Sequence, residues 1–191
     1  MNQQLSVKQD RSDQITYRID KSDLICYINK NWIHFAEENN YQLEDHQGIL
    51  GTSLWAYISN PETIQIYQTL IFKVREDRQS IKVPYRCDSP ALKRYMEMQI
   101  KPAGDDTIEF KNYTIKIFRR PPVPLLDPKH PRNHSLMIMC SWCKKVNTSL
   151  GWLETEEAVQ KFYLFDNPVL PKISHGICNT CKDHLLQKVL S

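Results

Sequence analysis

The sequence predicts an α+β fold in two parts, a five-stranded antiparallel sheet with helices on one face and a small metal-held domain behind it. Three observations carry that prediction. Strand-like alternation occurs twice near the start and three times in succession toward residue 119, with helical periodicity between. The pattern stops at "RRPPVPLLDPKHPRNHS", which holds five prolines in seventeen residues. Beyond it, four of the six cysteines stand as two CxxC pairs.

Residues 1–13 are polar and of mixed charge and read as a flexible lead-in. "ITYRI" and "LICYIN" are rich in β-branched and aromatic residues and flank the turn-like "DKSD". In "NKNWIHFAEENN" Trp32, Phe35 and Ala36 fall at helical spacing, with Asn29 or Asn31 as the cap. In "SNPETIQIYQTLIFKVRED" Pro61 suits a first helical position behind Asn60, and Ile64, Tyr67, Leu70, Ile71 and Val74 make one apolar stripe. "IKVPYRC" and "RYMEMQI" alternate apolar and polar residues around a "DSPA" hairpin connection. "TIEF" and "YTIKIF" supply the last strand after "AGDD". Residues 14–119 thus form the sheet domain. Proline fixes its φ angle and lacks a backbone donor, so residues 120–136 read as a semi-rigid linker. Residues 137–191 make the second domain.

Size and composition narrow the function. The 191 residues suit one large domain or two small ones, and 41% apolar with 25% charged residues is ordinary for a soluble globular protein. Through residue 120 there are 17 basic against 16 acidic residues, and 8 against 6 after it. Neither half carries the field that nucleic-acid binding exploits. No apolar run is long enough to span a bilayer, and the first residues lack the core of a signal peptide. The expected location is the cytoplasm, where thiols stay reduced.

Two residues between thiols let a tight turn aim both sulfurs at one ion. Cys140 and Cys143 form one such pair and Cys178 and Cys181 the other, with thirty-four residues between the pairs. Together they offer the four-sulfur tetrahedron that one structural zinc ion prefers. "MIMCSWCKKV" is strand-like on both sides, which predicts a hairpin knuckle for the first pair. "CNTCKDHLLQKVLS" places Leu185, Leu186 and Val189 at helical spacing, so the second pair opens a helix whose amino end faces the thiolates and lowers their pKa. Knuckle first and helix start last is a treble-clef-like order. Between them, "GWL" and "ETEEAVQKFYLF" predict a strand and an acidic-headed helix, with Trp152, Phe162, Tyr163 and Phe165 as a small core.

Lys144, Lys145 and Lys182 follow the ligands and offset the cage's charge. His175, with Gly176, is expected to shape the turn or to hydrogen-bond a sulfur from outside the ligand set. An iron–sulfur cluster would use the same thiolates. Covalent c-type haem fails, because lysine follows each pair. A thioredoxin-like redox pair lacks its βαβ surroundings. Four thiolates leave no open position on the ion, and no phosphate loop, nucleophile elbow or HExxH helix occurs, so the chain reads as a non-enzyme.

Two resemblances add to this reading. "ICYINKNWIHFAEENN", "GILGTSLWAYI" with the helix over 61–78, and "VPYRCDSPALKRYMEMQIKP" together resemble a PAS domain across residues 14–119. That resemblance implies a sensory module that binds a small molecule or a partner, often as a homodimer. Trp32, Phe35, Trp55, Tyr67, Met96 and Met98 would line its ligand cavity. Flavin photochemistry is not favoured, because "YQLEDHQGILG" has no cysteine. Haem is not favoured either, because the long helix has no histidine, and His34 and His46 read as exposed or loop residues. Cys26 and Cys87 read as small core residues, and Arg86, Asp88 and Arg94 as a surface charge network around the hairpin. "CSWCKKV" and "SHGICNTC" resemble a C-terminal cysteine module that follows sensory or receiver domains in bacterial proteins.

The combined expectation is a signalling adaptor whose zinc module docks a protein partner, since no kinase or cyclase pattern occurs within the sequence. Two alternatives stand beside it. One is a nucleic-acid-binding regulator using Lys129, Arg132, Lys144 and Lys145 with Trp142 and Trp152. The other is a thiol-based redox sensor that loses its ion on oxidation.

Overall fold

The computed structural model describes residues 4–5, 14–38, 47–58, 60–164 and 168–190. The remainder of the predicted lead-in, His46 and Phe165 lie outside those residues.

The first layer is an antiparallel sheet built from β2 (Ile15–Ile19), β3 (Ile25–Ile28), β4 (Ile81–Arg86), β5 (Leu92–Pro102) and β6 (Ile108–Arg119). Their order is β3-β2-β6-β5-β4, and a short β1 (Gln4–Leu5) also pairs with β6. Alternation decides which face is inside: Val83, Met98, Ile100, Ile108 and Phe110 are buried, while Lys82 and Pro84 face out. Pro84 is tolerated because β4 is an edge strand. The "DKSD" turn closes when Asp20 Oδ1 accepts hydrogen bonds from the Ser22 and Leu24 amides.

Helix α1 (Lys30–Glu38) starts on Asn29, whose Oδ1 accepts from the Trp32 amide at 3.0 Å. Helix α2 (Pro61–Asp77) starts on Asn60 with Pro61 in its first turn and lies across the inner face of the sheet. Its buried line is Thr63, Ile66, Leu70, Ile71 and Val74, so Ile66 takes the place that the sequence reading gave to Ile64. Arg78 ends the helix in the left-handed region at φ 55°.

A second sheet has the order β10-β7-β8-β9, from β7 (Arg132–Cys140), β8 (Val146–Thr148), β9 (Gly151–Leu153) and β10 (Leu170–Gly176). Here β10 runs parallel to β7, and the other pairs are antiparallel. Helix α3 (Thr155–Lys161) follows β9, and α4 (Asn179–Leu190) follows β10.

The segment 120–136 is not a free spacer. Val123 and Leu125 are buried with Met139, Val146, Ala158, Val159, Leu164 and Leu170, and β7 already begins at Arg132. Its carbonyls find a donor in the Arg132 guanidinium, which bonds the oxygens of Leu125 and Asp127 at 2.8 Å and of Pro171 at 2.9 Å. The prolines stiffen the segment, but its apolar side chains fold it into the second core.

Three further expectations are corrected. Phe162 and Tyr163 are exposed, and the aliphatic residues named above fill their expected place. Cys26 is exposed, because it points outward beside buried Ile25 on the edge strand β3. The hairpin charges are buried rather than on the surface: Asp88 receives Arg86 and Arg120, and Arg94 sits beside them.

Those charges join the two sheets. Arg86 reaches Glu154 at 2.6 Å, Lys93 reaches Glu154 at 3.0 Å and Glu156 at 3.2 Å, and Arg120 reaches Glu156 at 2.7 Å. The acidic head of α3 is therefore seated on a basic hairpin of the first sheet. Next to it, the Arg86 amide donates to the Trp142 carbonyl at 2.7 Å, so the second module covers the open edge beyond β4.

Candidate metal centre

The first cysteine pair sits where β7 turns into β8. The Cys140 amide donates to Lys145 O at 2.8 Å, and the Lys144 amide donates back to Cys140 O at 3.1 Å. Lys144 takes a φ of 61° to close this knuckle. The second pair spans the start of α4, with Cys178 just before it and Cys181 in its first turn. Strand β10 brings the halves together, because Gly176 pairs with Cys140 across the parallel ladder. A side chain at Gly176 would meet Ile138 Cγ2 at 2.9 Å, so the glycine allows this close approach rather than shaping a turn.

The result is a group of four sulfurs, from Cys140, Cys143, Cys178 and Cys181, all within 4.8 Å of one another. Such a cluster can hold a metal ion. Cys140 and Cys178 are buried, while Cys143 and Cys181 are half-buried. Without a cation the thiols must share protons. Hydrogen bonds from the Cys143 and Cys181 thiols hold Cys140 well below the ordinary thiol range, and giving those bonds pushes Cys143 up to about 12 and Cys181 further. A cation at the centre would take the place of those protons.

Backbone donors also serve the sulfurs. The Cys178 amide donates to Cys140 Sγ and the Cys181 amide to Cys178 Sγ, each at 3.4 Å. The His175 carbonyl accepts a hydrogen bond from Asn60 Nδ2 at 2.8 Å. Lys144 Nζ bonds Ser141 O at 2.9 Å, and burial pushes its ammonium pKa down while Cys87, Asp88 and Cys140 pull it up. Thr155 fixes the knuckle to α3 through its hydroxyl on Lys144 O at 2.7 Å.

Of the six residues expected to line a ligand cavity, Met98 belongs to the first core, and Trp32, Trp55 and Tyr67 pack against it. Met96 and Met98 are buried filling. Trp55 donates Nε1 to Asp23 at 3.2 Å and braces the first turn, Phe35 lies under the Arg94 guanidinium, and Trp32 packs against the core. Tyr67 alone of the six lines a cavity of about 260 Å³, whose other walls include Tyr85, Ser141, Trp142 and His175. The second-module residues of that wall were not anticipated, because their place depends on a contact far away in sequence. His34 is exposed and pairs with Glu38 at 3.2 Å.

Comparison with known proteins adds little. Neither protein-family models nor curated proteins give a match. Among solved structures, a domain of an HTR-like protein from Haloarcula marismortui is 16% identical, with a TM-score of 0.37, covering 54% of this chain and 98% of its own. A likeness of that size carries no inference of function. Among the described residues, no helix is long and apolar enough to cross a membrane.

Proposed function

We propose that the chain is a cytoplasmic sensory or signalling adaptor in which a PAS-like module is coupled to a zinc-stapled module that docks another protein. The observation that carries this reading is the convergence of two distant CxxC pairs into one four-sulfur cluster. Zinc bonds of about 2.3 Å directed to a tetrahedron set sulfurs about 3.8 Å apart. Cys143 and Cys178 stand 3.7 Å apart, which fits that edge. Four protein ligands leave no place for water, so the ion is a staple and no catalytic role is assigned to it. When bound, it supplies a fixed link between the β7–β8 knuckle and α4.

The knuckle-then-helix order supports the treble-clef-like reading. The antiparallel five-strand path with α2 across one face supports the PAS-like reading, since that is the layout the resemblance implies. A shared core supports coupling: Cys140, Trp142, Ile177, Cys178 and Leu185 belong to the same buried cluster as Leu70 and Phe110.

Metal analysis of freshly purified protein tests the staple, with one zinc per chain and no visible colour as the expected result. Iron with a sulfur-to-iron absorption band, or no tightly held ion, overturns it. Titration against sensor kinases of the same organism, with sedimentation to detect homodimers, tests the adaptor role. Absence of both kinds of association overturns that role.

A further inference from the structure

The four sulfurs of the cluster are not equivalent. Cys140 and Cys178 are buried, while Cys143 and Cys181, one from each pair, are half-buried. Their backbone partners differ as well. Cys140 Sγ receives the Cys143 and Cys178 amides, Cys143 Sγ the Lys145 amide and Cys178 Sγ the Cys181 amide. Among the described residues no backbone amide is found on Cys181 Sγ, whose hydrogen bonds run to the other three sulfurs.

Both differences act on reactivity in the same direction. With an ion bound the sulfurs are thiolates, and the thiolate is the form that attacks an oxidant. An amide hydrogen bond steadies the negative charge on sulfur and so slows that attack. Burial keeps the oxidant away. Cys140 and Cys178 are guarded by both means and Cys143 by an amide. Cys181 has neither an amide nor full burial.

We propose that Cys181 is the peroxide-sensitive site of the metal-loaded chain, and that its oxidation exchanges the metal staple for a disulfide to Cys143. The Cys181 thiolate attacks hydrogen peroxide, the O–O bond breaks, and sulfenic acid forms as hydroxide leaves. The Cys143 thiolate then attacks the sulfenic sulfur, the S–S bond forms and a second hydroxide leaves. Two electrons have passed from the sulfur pair to the peroxide, and two protons from solvent turn the hydroxides into water. Cys143 is the partner because its sulfur hydrogen-bonds Cys181 and is the other one that the core does not enclose. The two remaining thiolates are too few to close a tetrahedron, so the ion leaves.

The exchange reaches beyond the cage. Cys140, Ile177, Cys178 and Leu185 share the first core with Leu70 and Phe110, so a change of staple is felt at the seam between the sheets. This regulation rests on the zinc-staple reading of the cluster.

The test uses the full chain loaded with zinc, its metal content measured first, and hydrogen peroxide as the oxidant. Dimedone traps sulfenic acid, and mass spectrometry of peptides locates the adduct. Cys26, exposed on β3, serves as the internal measure of an ordinary thiol. With dimedone present, the Cys181 adduct should form about tenfold or more ahead of any on Cys140 or Cys178, as for one hydrogen bond to a charged group. Without dimedone the expected product is a Cys143–Cys181 disulfide, with zinc released in step and rebound after reduction. Cys181→His keeps a fourth ligand, so it should hold zinc and release it to peroxide about tenfold more slowly.

Trapping on Cys140 or Cys178 ahead of Cys181 overturns the assignment. A disulfide within the Cys178–Cys181 pair overturns the exchange between the two pairs. Zinc-loaded protein whose cage sulfurs stay intact while Cys26 is oxidised overturns the redox site and leaves the staple standing. A chain that holds no zinc after loading overturns the staple, and this regulation with it.

Discussion

The two sheets are held together by different means. The first has a continuous interior in which Ile19, Leu70, Val74, Val83, Ile100, Ile108 and Phe110 are almost wholly removed from water. The second has two strands of three residues, the seven-residue helix α3 and, among the described residues, a core cluster of eight buried side chains, two of them lent by the proline-rich segment. A sheet with so little interior needs another constraint, and four converging sulfurs can supply it. The difference teaches that stability here is not divided at the linker. Metal-side residues join the first core, while linker residues join the second.

The largest break in this comparison should come from Cys178→Ser. Loss of one ligand removes a link of the kind that contributes on the order of 10 kcal/mol in small zinc domains. The expected outcome is no bound metal and loss of amide protection through β7–β10 and α4, while β4–β6 and the body of α2 stay protected. Hydrogen exchange with metal analysis reads this directly. Uniform loss of protection in both sheets would show that the shared cluster makes the chain a single cooperative unit.

Much of this was legible in sequence, for local reasons. Asn60 before Pro61 announced α2, and alternation announced β4 and β5, because caps and period-two patterns depend on near neighbours. The four cysteines were legible because spacing alone constrains the ligand geometry. Strand β10 was missed, since "LPKISHG" carries a proline and runs into what read as a turn. The fate of 120–136 was hidden because proline content reports backbone stiffness, not whether Val123 and Leu125 find a core. Asp88 lay beyond reach for a similar reason. Its burial requires Arg86 and Arg120 from separate strand ends to close over it, and those meet only in the folded chain.

A sharper comparison sets Phe110→Ala against Leu125→Ala. Both side chains are fully buried, one in each core. The phenylalanine change should cost about 3–5 kcal/mol and the leucine change about 2–5 kcal/mol. Denaturant unfolding of metal-loaded protein checks both. A cost near zero for Leu125→Ala would restore the segment to a mere spacer.

Smaller again is Gly176→Ala. Its new methyl group would press on Ile138 Cγ2 at 2.9 Å, where β10 meets β7 beside Cys140. Overpacking of that kind costs about 1–3 kcal/mol. The β-branched neighbour has little freedom to retreat. The expected sign is faster metal loss to a chelator together with a lower melting temperature. Unchanged metal retention would mean the parallel ladder can open slightly without disturbing the cage.

The smallest effect tests the charged seam by acid. Burial raises the Glu156 carboxyl, but its hydrogen bond with Arg120 and the nearby Lys93 outweigh that and hold it down at about 2. A depressed folded value means that its contribution is fully present above the ordinary carboxylate range near pH 4.5 and is lost as pH falls toward 2. About a third of the side chain is exposed, at 34%, so water screens the pair and the contribution is discounted to about 1 kcal/mol. Glu156→Gln should therefore melt about 2–4 °C below the parent at neutral pH. Acid will also strip thiolate-bound metal, but it does so in both proteins, so the gap between them isolates the carboxylate. That gap should close as pH falls from about 4.5 toward 2. A gap that stays constant through this window would mean that Glu156 acts through packing, and that the hairpin holds α3 by shape rather than by charge.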